Sequence, residues 1–232
     1  LNCEFCATAK LKRMRNLEVA EIVDQVALID RQSKEYFERP LSNIVFMGMG
    51  EPMMNYKNVV EAIHKITKPE GLGMSPRRIT VSTSGIPKMI KMLADENLRV
   101  KLALSLHSAI EHKRNEIMPF SDKFPLTDIM ESLQYWYKKT GSPITFEYCV
   151  WDGINDQDED IKALIKFCRQ VPSKVNLIEY NPIGEGKYDK RNIKAEEKYV
   201  RDLEKAGITI IVRRSRGGDI DAACGQLANK NA

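Results

Sequence analysis

No stretch of this 232-residue chain approaches a membrane span, which needs roughly 18 consecutive apolar residues. Cysteine is scarce: five thiols, an odd number, are spread along the chain. That excludes a secreted disulfide framework and favours a reducing cytoplasm. Neither sign of charge dominates, since 36 Lys and Arg against 32 Asp and Glu leave a net +4, only a mild pull on an anionic partner. No charged-then-apolar leader opens the chain, so no secretion signal is expected. No low-complexity segment is present either. What remains, at 43% hydrophobic and 29% charged residues, is the composition of a globular protein, long enough for one sizeable domain or two small ones.

The hydrophobic pattern alternates between two periods. Val19, Ile22, Val23, Val26 and Ile29 recur at helical spacing, predicting a helix from Glu18 to Arg31. The polar stretch from Ser33 to Leu41, with Pro40, predicts a connection. From there one unit repeats. Short apolar runs around Ile44, Ile79, Leu102, Ile144, Val175 and Ile210 predict buried parallel strands. Helices are predicted between them from Asn55, Pro87, Leu126, Asp156 and Ala195. Alternating strands and helices imply right-handed crossovers and a parallel sheet, either open or closed into a partial barrel.

In such folds chemistry gathers at the carboxyl ends of the strands. Here those ends read Gly48-Met49-Gly50-Glu51-Pro52, Ser82-Thr83-Ser84-Gly85, Ser105-Leu106-His107-Ser108, Trp151-Asp152-Gly153-Ile154-Asn155 and Glu179-Tyr180-Asn181-Pro182. Each apolar run finishes in small or hydrogen-bonding groups, as a ring around a polar small molecule would. Singly, each has a plainer explanation: Glu51 as a turn acid, the serines as caps, His107 as a satisfied core histidine. The chain also opens on Cys3-Glu4-Phe5-Cys6. Two thiolates at that spacing can share a metal centre, though a zinc knuckle or a redox pair uses the same pattern.

Taken together, Cys3 to Ala9, Gly48 to Pro52, Ser82 to Gly85, Ser105 to His107, Asn181-Pro182 and the tail Arg216 to Leu227 resemble the radical S-adenosylmethionine (SAM) methyltransferases that modify adenosine in RNA. This is the RlmN family, with Cfr as its close relative. The resemblance covers almost the whole chain and implies an α/β fold, a partial (β/α)6 TIM-like barrel over residues 1–212. A carboxyl-terminal segment, 213–232, would carry the methyl-accepting cysteine. It implies that Cys3 and Cys6 ligate a [4Fe–4S] cluster, that Gly50 and Glu51 meet the amino group of SAM, and that Ser82, Ser105, Leu106, His107 and Asn181 line the rest of the SAM site. Cys224 would carry the transferred methyl group, although by composition alone it fits a buried structural cysteine. Cys149 and Cys168 are expected in the core.

The implied reaction places a methyl group on carbon 2 of an adenosine in 23S rRNA, with tRNA as a second candidate substrate. It runs through a methylated Cys224 and a 5′-deoxyadenosyl radical. That carbon is electron-poor, so ordinary displacement has no electron pair to use. The expected partners are these RNAs and an electron donor to the cluster, with no membrane and a monomeric chain. Arg213, Arg214 and Arg216, and more weakly Arg77 and Arg78, are candidates for phosphate contact. The chain opens within the thiol motif rather than on methionine. A third cluster ligand, a second catalytic cysteine and an accessory domain are therefore expected upstream, and the chain alone is expected not to complete a cycle. Two other readings stand beside this one: methylation at adenosine carbon 8, as in Cfr, and a zinc-knuckle RNA-binding module without redox chemistry.

Overall fold

The computed structural model describes residues 1–12, 14–183, 188, 192–215 and 226. Six strands, β1 (Ile44–Phe46), β2 (Ile79–Thr83), β3 (Lys101–Ser105), β4 (Ile144–Tyr148), β5 (Ser173–Ile178) and β6 (Thr209–Arg213), form one parallel sheet in the order β1-β2-β3-β4-β5-β6. The order never reverses. With right-handed crossovers, that puts every connecting helix on the same face and winds the sheet toward a barrel rather than a doubly wound layer.

Among the described residues seven α-helices accompany the sheet: α1 (Val19–Phe37), α2 (Tyr56–Thr67), α3 (Pro87–Asp95), α4 (Glu111–Ile117), α5 (Leu126–Thr140), α6 (Asp158–Cys168) and α7 (Ile193–Lys205). Helix α1 runs six residues past its expected end at Arg31, through Ser33 to Phe37, where a connection was expected. Few apolar residues mark that last turn and a half, so periodicity alone stops short of it. The missed element is α4. No stripe announces it, because one of its two buried residues is an arginine.

Strand alternation sorts the side chains. Ile79, Val81, Leu102, Leu104, Phe146, Tyr148, Val175 and Leu177 point outward and pack with Ile63, Ile90, Ile129, Leu133, Leu164 and Leu203 of the helices. Each such side chain contributes roughly 1.5–3 kcal/mol by leaving water. The intervening residues, Ser82, Ala103, Ser105, Thr145, Glu147 and Asn176, face the other way. Register sets Ser82 beside Ala103, and Ser105, Glu147 and Asn176 side by side on adjacent strands. The inner face is thus small and polar, a lumen rather than a second core. Among the described residues no helix is long and apolar enough to cross a membrane.

Candidate SAM and iron–sulfur site

The loop bearing Cys3 and Cys6 folds tightly on itself, with the Cys6 N–H donating to the Cys3 carbonyl at 3.2 Å. Both thiols are free and half-buried. The loop is fastened to the barrel at two points. The Glu4 N–H donates to the carbonyl of Ile117, the last residue of α4, at 3.2 Å. Phe5 lays its ring 4.7 Å from the ring of His107 and 5.3 Å from that of Trp151. Trp151 in turn meets Tyr180 and Tyr188 edge-on. Cys3 and Phe5 therefore border an aromatic cluster that excludes water. Burial, and then the neighbouring Cys6, push the Cys3 thiol up to about 12. A bound cation reverses that balance and holds such a thiol deprotonated.

The strand-end residues converge on this same rim. Gly50, at a φ of +90°, turns the chain after β1. Glu51 follows, and its Oε2 accepts from both the N–H and the hydroxyl of Ser84, at 2.8 and 2.9 Å, while Oε1 accepts from the Met53 N–H at 3.0 Å. Burial raises the Glu51 carboxyl above its ordinary value, against the lowering effect of these bonds. Gly85, at +98°, closes the β2 turn where a Cβ would come 2.9 Å from Ile129 Cδ1. Ser82 is buried and Ser105 half-buried.

His107 occupies the left-handed region at a φ of +54°. The carbonyl of Glu147 accepts from the N–H groups of Leu106 and His107 at 3.0 and 3.3 Å. The Cys149 N–H donates to His107 Nδ1 at 3.2 Å, so the ring proton sits on Nε2. Burial lowers the imidazole to about 3, and the ring is neutral at physiological pH. Asn155 locks the arrangement: its Nδ2 donates to the carbonyls of His107 and Cys149 at 2.7 and 2.8 Å, and its Oδ1 accepts from the Trp151 N–H at 2.8 Å. Asn181 is buried beside the β5 end, its Nδ2 donating to the Glu179 carbonyl at 3.4 Å.

Cys3, Cys6, Gly50, Glu51, Ser82, Ser105, Leu106, His107 and Asn181 thus all lie at the carboxyl rim or its lumen. Cys224 and Arg216 lie outside the described residues. Cys149 and Cys168 are buried, as expected of core positions. Arg77 and Arg78 precede β2 and so sit at the opposite, amino end of the sheet, far from the rim that Arg213 and Arg214 follow. Two residues escaped the sequence reading, and a third was gathered only as the last member of a strand-end run. Arg114 and Glu147 look like surface charges in a linear string, and Asn155 looks like an ordinary turn residue. Each is buried, and only the fold reveals it.

A family model described as "Radical SAM superfamily" matches residues 1–168. The chain belongs to the radical SAM superfamily. This radical SAM chain is 65% identical over its whole length to a probable dual-specificity RNA methyltransferase RlmN of Christiangramia forsetii, and 42% identical to the dual-specificity RNA methyltransferase RlmN of Campylobacter hominis. It spans 66% and 64% of those relatives' lengths, just under two thirds. A crystal structure of a radical SAM methyltransferase from Sphaerobacter thermophilus superposes with a TM-score of 0.93 at 38% identity, over 97% of this chain and 66% of that one. The maturase HydG, at 13% identity and a TM-score of 0.66, shares the fold. The α/β partial barrel, one of the two architectures the alternating pattern allowed and the one the resemblance implied, is the architecture observed.

The superfamily implies a [4Fe–4S] cluster and SAM, and the residues present fit them. Two soft, half-buried thiols lie on one short loop, and Cys3 packs against the aromatic cluster. On α4, whose last residue anchors the thiol loop, lies Arg114, a buried cation whose Nε and Nη1 find no acceptor. Among the described residues no group of three or more His, Cys, Asp and Glu is poised for a metal, which leaves Cys3 and Cys6 as the candidate ligands here.

Proposed function

We propose that this chain is the catalytic barrel of a radical SAM RNA methyltransferase of the RlmN type. In this reading it methylates carbon 2 of an adenosine in 23S rRNA, and in tRNA as well. The carrying observation is the meeting of the thiol loop with the strand ends on one rim, with Phe5 packed on His107. The relatives' names, dual-specificity RNA methyltransferases, support RNA as the substrate.

Cys3 and Cys6 would hold two irons of the cluster, and Glu51 would accept from the ammonium of SAM through the capacity left on Oε1. When bound, the cluster and SAM supply the one-electron radical chemistry that an electron-poor ring carbon demands. The protein's own part is position and exclusion of water. Ser82 and Ser105 offer hydroxyls to the lumen, and neutral His107 keeps Phe5 and the thiol loop in place. Trp151, Tyr180 and Tyr188 seal the flank. Cys224 is the residue to which we assign the methyl-carrying thiol. Nearby in sequence, the Gln226 side chain donates to the Pro182 carbonyl at 3.3 Å, next to Asn181, which supports a tail that docks at this rim.

Nucleoside mass spectrometry of RNA from cells with and without the gene tests the reading. The 2-methyladenosine signal should vanish from 23S rRNA in the deletion and return with the intact gene, but not with a Cys224→Ala version. An unchanged signal in the deletion would refute it, and loss of 8-methyladenosine instead would move the chemistry to the other ring carbon.

A further inference from the structure

The stretch that follows the thiol loop turns its apolar residues to water. Leu11, Met14 and Leu17 are 38, 82 and 42% exposed, and Met54 is 47% exposed. Scattered singly, such residues need no explanation, but these share one strip of surface. The Leu17 carbonyl accepts from the side chains of Asn55 and Asn58, at the head of α2, at 2.8 and 2.9 Å. Met54 directly precedes Asn55. Arg15 forks onto both carboxylate oxygens of Glu21 at 2.7 and 2.5 Å, and Glu21 closes the capping box of α1. The strip is therefore held to a fixed course.

Its course runs along the outer wall, because Asn55 and Asn58 belong to the layer of helices and not to the lumen. It also begins at the thiols. In the 3-10 turn Ala7–Lys10 the Ala9 N–H donates to the Cys6 carbonyl and the Leu11 N–H to the Thr8 carbonyl, at 3.0 and 3.2 Å. Such a turn advances about 2 Å per residue, which puts Leu11 roughly 10 Å from Cys6. Exposed cations surround the apolar residues: Lys10, Lys12, Arg15 and Lys57. The acids at the start of α1 are in use, Glu21 by Arg15 and Glu18 by the helix cap. An apolar centre inside a charged rim is the anatomy of a protein interface, and methionine suits such a surface. Unpaired RNA bases seek aromatic rings to stack on, whereas the exposed apolar residues of this strip are all aliphatic.

We propose that this strip docks the electron donor of the iron site, a small acidic flavoprotein. This rests on the radical SAM reading above. The cluster must receive single electrons from outside while SAM fills the lumen and RNA covers the mouth. The outer wall of the thiol loop is the approach left open. Acidic residues around the flavin would meet Lys12 and Lys57, and the apolar methylated edge of the flavin would seat against Leu11 and Met14. A ferredoxin has no such edge to offer. The step moves one electron and breaks no bond: the reduced flavin is oxidised by one electron, and the cluster held by Cys3 and Cys6 is reduced by one. Opposite charge across the contact speeds the encounter and fixes its orientation.

The test uses the full-length enzyme, reconstituted anaerobically, as wild type, as Met14→Asp and as the double variant Lys12→Glu, Lys57→Glu. Calorimetry measures affinity for a bacterial flavodoxin and for substrate RNA. Stopped-flow absorbance measures cluster reduction by reduced flavodoxin, by a reduced ferredoxin and by dithionite, which needs no docking surface. Both variants should bind flavodoxin roughly tenfold or more weakly and accept its electrons correspondingly more slowly. Reduction by dithionite and affinity for RNA should stay as in wild type. Unchanged flavodoxin affinity in both variants overturns the proposal. So does a loss of RNA affinity as large as the loss for flavodoxin, which would make the strip an RNA surface. A loss with the ferredoxin alone removes the flavin from the argument and overturns it too. Equal slowing with dithionite would show that the substitutions disturb the thiol loop itself, again against docking. Wild type that takes up no iron would instead sink the site reading. Wild type that dithionite reduces but flavodoxin neither binds nor reduces sinks this proposal alone.

Discussion

Glu51 and Ser84, thirty-three residues apart, are joined through one carboxylate oxygen that accepts both the main-chain N–H and the hydroxyl of the serine, at 2.8 and 2.9 Å. This pair couples the tip of β1 to the tip of β2. It holds Glu51 in the rim, where the Met53 N–H also donates to its other carboxylate oxygen.

Glu51→Gln is therefore expected to do two things at once. An amide nitrogen facing N–H donors removes a charge-assisted bond, costing about 1–3 kcal/mol of stability. Loss of the negative charge should weaken SAM binding by roughly tenfold or more. Calorimetric titration of SAM, paired with a urea melt, separates the two. Unaltered affinity in a correctly folded variant would remove Glu51 from the ligand site.

The buried imidazole of His107 predicts an acid-sensitive fold. Unfolded, the ring takes a proton near 6.5; folded, only near 3. Between those values the unfolded state binds more protons. The contribution is complete above 6.5 and is lost as pH falls toward 3. From pH 6.5 to 5 the loss is about 2 kcal/mol. His107→Gln, which supplies an acceptor without titrating, should flatten this part of the profile in urea melts at the two pH values. A wild type equally stable at both would refute the assignment.

Asn155 bonds two carbonyls and one amide within one buried turn. Asn155→Ala should cost about 2–4 kcal/mol, at roughly 1 kcal/mol or more for each buried group left unpaired. Because it fixes the His107 carbonyl and the Trp151 turn, Phe5 should loosen too. Equilibrium unfolding measures the first effect, and protease cleavage within the thiol loop the second. A cost below about 1 kcal/mol would show that backbone rearrangement replaces its bonds.

Basic residues at the two ends of the barrel should behave differently toward RNA. Arg213 ends β6 at the rim and Arg214 follows it, whereas Arg77 and Arg78 stand at the amino end of β2. Replacing the first pair with Gln should lower the slope of log K against log salt by roughly 1.5–2, as two lost phosphate contacts would. Replacing the second pair should leave it unchanged. Filter binding across a salt series decides, and equal effects from both pairs would argue for diffuse attraction only.

Much of this molecule was readable in one dimension. Val59, Ile63 and Ile66 on α2 and Ile79 and Val81 on β2 bury their faces by a periodicity that needs no partner to be recognised, and helices such as α5 begin and end within a residue or two of expectation. The rim was legible for a related reason. When every strand runs the same way, the residue that closes each apolar run must land on the same edge, so Glu51, Ser82, Ser105 and Asn181 could be gathered before any coordinate was known.

The charges hidden in the interior were not legible. In the string, Arg114 is one of many arginines in a polar stretch, and Glu147 sits at an alternating position of a strand. Whether such a residue meets water depends on which segments close over it, and those come from far along the chain: Ser84 and Ser105 beneath Arg114, and Asn176 at 2.9 Å from Glu147. Local sequence fixes backbone preference and the direction of a hydrophobic face, because those energies act over a few residues. Solvent exclusion is a property of the assembled whole, so the buried Arg114, the neutral His107 and the Asn155 lock were decided only by tertiary packing.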